Sequence, residues 1–504
     1  MPALPRSVLP ILLLLAFFTG CTSPEALAPR AFPSAEGFGA HTIGGRGGKI
    51  LEVTTLADAG PGSLRAAIET PGPRTIIFRT GGIILLKSPL AIRDPFITIA
   101  GQTAPGDGIC IRGAQLRVRT HDVILRGLRL RTGDELFYDH SDEPDGLSLL
   151  AGPWPKDDPK HPYGDGLDVP VYNVLIDHCS ISWSVDENIG MWSNAYKDPK
   201  GNHVRNVTIQ WCIISEGLYK SVHHKGPHSM GILVGHRSTN ISFHHNLLAH
   251  NNARNPVLQG GTETEWINNV VYNWDDQGMV FGDWADIGWI RVNIIGNVYK
   301  AGPTTENSPP RKRAAYALLD RMYGPDRAIK ISRVYPDSRF YLAGNITPRV
   351  IQPQAYQPAA IEVGFYARPI EPLISPTPAV KPSGIVTHPA ADAYALVLAH
   401  AGATAPRRDT IDTRVVEQVR TTTGRIIDSP RDVGGFPPYD PGTPPVDSDH
   451  DGMPNTWELA HALNPNNPTD AQTPTPSGPT HLEHYLNSLL PPPTPPTTSR
   501  PASR

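Results

Sequence analysis

Five short stretches of the chain repeat one alternation of apolar and polar residues. They are Asn173-Val-Leu-Ile-Asp-His-Cys179, Asn206-Val-Thr-Ile-Gln-Trp-Cys212, Asn240-Ile-Ser-Phe-His-His-Asn246, Glu263-Thr-Glu-Trp-Ile-Asn-Asn269 and Arg291-Val-Asn-Ile-Ile-Gly-Asn297. Each reads as a short strand of period two that runs into Cys or Asn and continues with another apolar pair. The closing residues lie 33, 34, 23 and 28 positions apart. Tyr341-Leu-Ala-Gly-Asn345 fits as a later copy, and Ile97-Thr-Ile-Ala-Gly101 and Val123-Ile-Leu-Arg-Gly-Leu128 as earlier ones. Strands returning at such intervals, with few helical periods between them, predict a solenoid of stacked coils rather than a β-sandwich.

In a parallel β-helix, equivalent positions stack about 4.8 Å apart. Asn246, Asn269 and Asn297 are then expected to form an internal amide ladder, with Cys179 and Cys212 continuing the column as small fillers. The ladder matters because a buried amide without a partner costs roughly 1–3 kcal/mol. The coil pattern runs from Ala31 to about Lys300, and the domain built on it is expected to span residues 31–435. Gly60–Ile68 reads as a loop and short helix capping the open end of the stack, and Ala390–His400 and Ile411–Arg420 as two more helices near the end. A linker over 436–446, a small module over 447–487 and a Pro-rich tail over 488–504 complete the organisation.

Composition supports this picture. Gly (46) and Pro (54) are abundant and charged residues make up only 18% of the 504, which favours turns and strands over a helical bundle. A net charge of -3 argues against a nucleic-acid partner. Four cysteines are too few and too scattered for a disulfide framework. The N-terminus is a targeting segment: Arg6, then the apolar run Ile11–Phe18, then Phe17-Phe-Thr-Gly-Cys21. The small residue before Cys21 resembles a bacterial lipobox, so 1–21 is expected to be a lipoprotein-type signal with a lipid anchor at Cys21. That places the protein at an outer membrane or cell surface, and an ordinary signal peptide would leave it secreted.

The densest polar stretches are Gly164-Asp-Gly-Leu-Asp168 and Ile176-Asp-His-Cys-Ser-Ile-Ser-Trp-Ser-Val-Asp-Glu-Asn188. Turns of neighbouring coils lie close together, so their carboxylates would repel one another unless a cation sat among them. Oxygen ligands alone point to a hard ion, Ca²⁺ before Mg²⁺. Lys225 falls about one coil after Glu187, and Arg254 about one coil after Lys225. Such flanking cations suit an acidic sugar polymer. The histidines at 223, 224, 228, 236, 244 and 245 include no H-E-x-x-H motif for zinc, and most read as turn and ladder residues.

With these stretches the chain resembles the bacterial pectate lyases of the first polysaccharide lyase family. Further matches are Ala31–Gly39, Ala100-Gly-Gln-Thr-Ala-Pro-Gly-Asp107, Trp183–Asn188 and Asn252-Ala-Arg-Asn-Pro256. The resemblance implies an all-β, right-handed parallel β-helix and cleavage of pectate by β-elimination. It further implies Asp165, Asp186 and Glu187 as Ca²⁺ ligands, Arg254 as base and Lys225 as a substrate-carboxylate contact. Gln259 stands where the family's second arginine would be, and is expected to hydrogen-bond the sugar without pairing its charge. The expected partner is an acidic plant cell-wall polysaccharide and the expected state a monomer. The competing readings are a β-helix hydrolase working with paired aspartates, a pectin lyase acting on esterified substrate, and a non-catalytic surface protein that binds uronates.

A separate site is legible near the C-terminus. Asp447-Ser-Asp-His-Asp-Gly-Met-Pro-Asn-Thr-Trp-Glu458 matches D-x-D-x-D-G-x₅-E throughout. Asp447, Asp449, Asp451, the Met453 carbonyl and Glu458 are the expected Ca²⁺ ligands. Because Pro441-Gly-Thr-Pro-Pro445 precedes the loop, no helix enters it, and a stabilising role fits better than a sensing one.

Overall fold

A computed structural model describes residues 29–135, 144–156, 164–283, 285–308, 316–318, 337–348, 351–352, 361–362, 371–476 and 478–491. The expected signal segment with Cys21, and most of the Pro-rich tail, lie outside the described residues.

The repeated stretches stack side by side. Lys49–Val53, Arg74–Phe78, Ile97–Ala100, Val123–Arg126, Val171–Asp177, Val204–Gln210, Thr239–His244, Thr262–Ile267, Ile290–Ile295 and Arg339–Ala343 form one sheet in that order. Neighbouring strands are parallel, as in Val207↔Ile241↔Thr264↔Val292. Each coil adds a strand to a second sheet and then to a third before returning. Val204–Gln210 is followed by Ile213–Ser215 and Met230–Val234, and Thr239–His244 begins the next coil. The fold is a parallel β-helix. Inward residues of all three sheets, among them Ile176, Ile209, Phe243, Trp266 and Ile294, form one elongated core.

The expected ladder runs through six coils. Cys179 N–H donates to Cys212 Sγ at 3.4 Å, Cys212 N–H to Asn246 Oδ1 at 2.9 Å and Asn246 Nδ2 to Asn269 Oδ1 at 2.9 Å. Asn269 Nδ2 then donates to Asn297 Oδ1 at 3.2 Å, and Asn297 Nδ2 to Asn345 Oδ1 at 2.9 Å. The preceding residue in each turn has a left-handed backbone, from His178 (φ 49) through Trp211, His245 and Asn268 to Gly344 (φ 67). That conformation reverses the chain within one residue and aims the next side chain along the stack. A second, outer ladder joins Asn173, Asn206 and Asn240 at the other end of the same strands.

Outside the coils, the helix Ala390–His400 forms where the sequence predicts it, and Thr410–Thr421 extends one residue beyond the prediction at each end. Val397, Val415, Val416 and Val419 cover Ile213, Leu247 and Val270. Leu247 is therefore buried beneath these helices, on the outer face of its sheet, while Phe243 lies in the inner core. Arg131 ties the second helix down by donating to Asp409 and Asp412, both at 2.9 Å.

Candidate active site

The third sheet carries the candidate site at the ends where its strands begin. Leu147 pairs with Ile189, Glu187 with Met230, and Met230 bridges to Ala253. That register stands Asp145 beside Glu187, one coil apart, and brings Arg254 to the same corner two coils beyond Glu187. Asp145, Asp186 and Glu187 each offer an oxygen within 4.8 Å of the others. Arg254 Nη1 donates to Glu187 Oε1 in a short ion pair. Arg254 itself is left-handed (φ 56), and its carbonyl accepts from Ile232 N–H at 2.6 Å, so its backbone is fixed while the side chain reaches outward.

Burial and the Asp186 charge push the Glu187 carboxyl up to about 8. Burial, then Glu187 and Asp186, raise Asp145 well above the ordinary carboxylate range. Burial opposes ionisation of Asp186 too, but hydrogen bonds from His223 and His228 outweigh it and hold that carboxyl low. His228 Nε2 lies 2.7 Å from Asp186 Oδ1, with the two imidazoles stacked at 3.9 Å. Three carboxylates that can ionise together only at such expense form a set that a hard divalent cation would relieve. The residues present fit Ca²⁺.

Two expected site residues lie elsewhere in function. Asp165 is not part of the cluster: Arg119 grips both its oxygens at 2.8 and 2.9 Å, and Arg93 approaches at 3.5 Å. Although burial opposes it, the Arg119 pairing holds that carboxyl below its usual range. A carboxylate already neutralised by two arginines is a poor cation ligand, and the carboxylate that clusters with Asp186 and Glu187 is Asp145, not Asp165. Gln259 is not a surface contact for a sugar. It is 1% exposed, and its Oε1 accepts from His236 N–H at 3.2 Å, closing the turn after Met230–Val234.

Other assignments keep their location. Lys225 is exposed on the loop between Ile213–Ser215 and Met230–Val234, its backbone N–H donating to His223 Nδ1 at 3.1 Å. His223 and His228 are not bland turn residues, since they hold Asp186. Asp177, in contrast, is structural: Arg126 Nε donates to it at 2.8 Å, and His178 and Gln210 complete its shell.

Several supporting residues went unread in the sequence. Asp145 sits in a plain Pro-Asp-Gly turn, and only the coil register marks it. Gly190 makes room for it, since a Cβ there would lie 2.1 Å from Asp145 Oδ2. Beneath the site, Asn188 donates to Asn251 and Asn251 to Asn255, both at 3.0 Å. This short ladder fixes the neighbours of Glu187 and Arg254.

No protein-family model matches the chain. It is 32% identical over 469 residues to the "Probable pectate lyase C" of Aspergillus flavus, covering 92% of this chain and 94% of that protein. The protein of that name from Aspergillus fumigatus is 32% identical over 490 residues, covering 96% and 98%. Among solved structures, a pectate lyase from Bacillus sp. N165 in complex with trigalacturonate is similar at 17% identity and a TM-score of 0.45. The match covers 73% of this chain and 98% of that one.

Proposed function

The chain belongs to the pectate lyases, which are polysaccharide lyases, and from that premise we propose that it cleaves polygalacturonate by calcium-dependent β-elimination. The observation that carries the reading is the corner where Asp145, Asp186 and Glu187 meet under Arg254. In such a reaction the C5 proton leaves, the C4–O bond breaks and a C4–C5 double bond forms, giving unsaturated oligogalacturonates. Asp145, Asp186 and Glu187 would hold the ion. When bound, Ca²⁺ draws charge from the uronate carboxylate and so stabilises the anion that forms next to it.

Arg254 is assigned to the C5 proton and Lys225 to a substrate carboxylate. A guanidinium is protonated at any ordinary pH, and its pairing with Glu187 reinforces that state. Arg254 can accept the C5 proton only in its neutral form, which requires that Glu187 turn to another partner and that the positive charge of the bound ion and of Lys225 disfavour the guanidinium. His223 and His228 keep Asp186 ionised, and the Asn188–Asn251–Asn255 ladder keeps Glu187 and Arg254 in register. The export reading, with Cys21 as anchor, belongs to the same proposal, and an intact residue before Cys21 in the mature protein would remove the anchor.

The deciding experiment follows absorbance of the unsaturated product on polygalacturonate. A rise with Ca²⁺ that vanishes with chelator supports the proposal. Reducing sugar released without that absorbance indicates hydrolysis and overturns it.

A further inference from the structure

We propose that the loop Asp447–Glu458, joined by Asp470, binds one Ca²⁺ that clamps the C-terminal segment onto the first coils of the β-helix, independently of the candidate active site. Two overlapping groups support it: Asp447, Asp449 and Asp451 lie within 4.8 Å of one another, as do Asp451, Glu458 and Asp470. Asp470 lies beyond the twelve-residue loop and enters from the turn after the helix Asn455–Ala460.

The hydrogen bonding sorts the oxygens into two sets. Asp447 Oδ2 accepts from Gly452 N–H at 3.1 Å, Asp451 Oδ1 from Met453 N–H at 2.8 Å, and Asp470 Oδ2 from Asn464 N–H at 3.4 Å. The opposite oxygens, Asp447 Oδ1, Asp451 Oδ2 and Asp470 Oδ1, are buried without a hydrogen-bond partner. So are both oxygens of Asp449 and of Glu458. Asp451 is 1% exposed and Glu458 0%. Buried carboxylate oxygens left unpaired are costly, and seven of them converging describe a ligand cage. With oxygen donors alone, the cage selects a hard cation large enough for many ligands, which is Ca²⁺. Arg79, 3.8 Å from Asp447 Oδ2, is shared with Glu52 at 3.5 Å and the Pro445 carbonyl at 2.8 Å.

The same loop is packed against the start of the β-helix. Gly452 is left-handed (φ 90), and a Cβ there would lie 3.1 Å from Leu482, 3.4 Å from Ile50 and 3.5 Å from Ile77. Met453, Leu482, Tyr485 and Leu486 close over Ile77 and Ala100 in one apolar cluster. Polar ties ring it: Arg46 to Glu483 at 2.6 Å and Gly47 N–H to Gln472 at 3.1 Å. Ordering the loop therefore seats the whole segment, and losing the ion leaves charge behind that apolar contact.

The test uses the full chain, stripped with chelator and titrated with Ca²⁺. Bound Ca²⁺ per chain, melting temperature and hydrogen exchange in the helix His481–Ser488 are followed. Glu458→Gln is expected to bind one Ca²⁺ fewer and to lose the calcium-dependent rise in melting temperature, while matching the stripped parent. Asp470→Asn is expected to weaken the site about tenfold. In the parent, chelation should speed exchange in that helix. Unchanged stoichiometry and melting shift in Glu458→Gln, or parental affinity in Asp470→Asn, would overturn the site. Exchange in the helix indifferent to Ca²⁺ would overturn the clamp. None of these readouts needs turnover, so failure of the lyase reading stays distinguishable.

Discussion

The two carboxylate clusters of this molecule are built in opposite ways. At the C-terminus, four of five acids come from twelve consecutive residues, and their inward oxygens have no hydrogen-bond partner. At the β-helix corner, the three acids come from two coils and are already answered by protein groups: Arg254 on Glu187, His228 on Asp186, Ser148 on Asp145. A cluster that is complete apart from its ion is suited to holding it permanently. A cluster that shares its charge with an arginine can exchange one partner for another, as a reaction requires. On the proposed readings similar acids serve anchoring in one place and chemistry in the other, and what separates them is how closely protein groups approach the oxygens: Arg79 stays 3.8 Å from Asp447, whereas Arg254 makes a short ion pair with Glu187.

That contrast is open to attack on the catalytic side first. Arg254→Lys should lower formation of unsaturated product by at least about a thousandfold, whereas the calcium-dependent rise in melting temperature persists. Full activity in that variant would remove Arg254 from the chemistry and leave the corner as a second holding site. Gly190→Ala comes next, because its new methyl would push Asp145 aside. Half-maximal activity should then need about tenfold more Ca²⁺, with the C-terminal affinity unchanged. A parental calcium requirement would show that Asp145 is not among the ligands.

The mildest change touches neither cluster. Asn269→Ala breaks the ladder between Asn246 and Asn297 and should cost roughly 1–3 kcal/mol of stability. Denaturant unfolding measures it. Calcium affinity at both clusters should stay as in the parent, and a shift at either would mean that the coil stack itself tunes ion binding.

Legibility followed the same divide. The ladder was readable because Cys or Asn returns at one place in six successive coils, and the C-terminal loop because four of its acidic ligands fall within twelve residues. Asp470 was hidden because it joins that loop through a later turn. Asp145 was hidden because the connection after Arg129–Arg131 is long, so the column is set by strand pairing and not by spacing. The denser Gly164–Asp168 stretch drew attention, yet Arg119 and Arg93 had already claimed Asp165. Gln259 was misplaced because a motif position says nothing about which way a side chain turns at a strand end. The relation of His223 and His228 to Asp186 depended on a loop conformation that no periodicity encodes.

The seat of the C-terminal segment has one more consequence, for the order of folding. Ladder bonds join residues 23 to 48 positions apart, so coils can be added one after another as the chain emerges. His450 meets Glu52 across 398 positions, so that contact waits until the whole coil stack has been made. Until then Ile50 and Ile77 stay bare beside Lys49–Val53, the terminal strand of the ten-stranded sheet. Growing chains therefore carry a sticky edge, and the residues that cover it, Met453, Leu482 and Leu486, are made about 400 positions later.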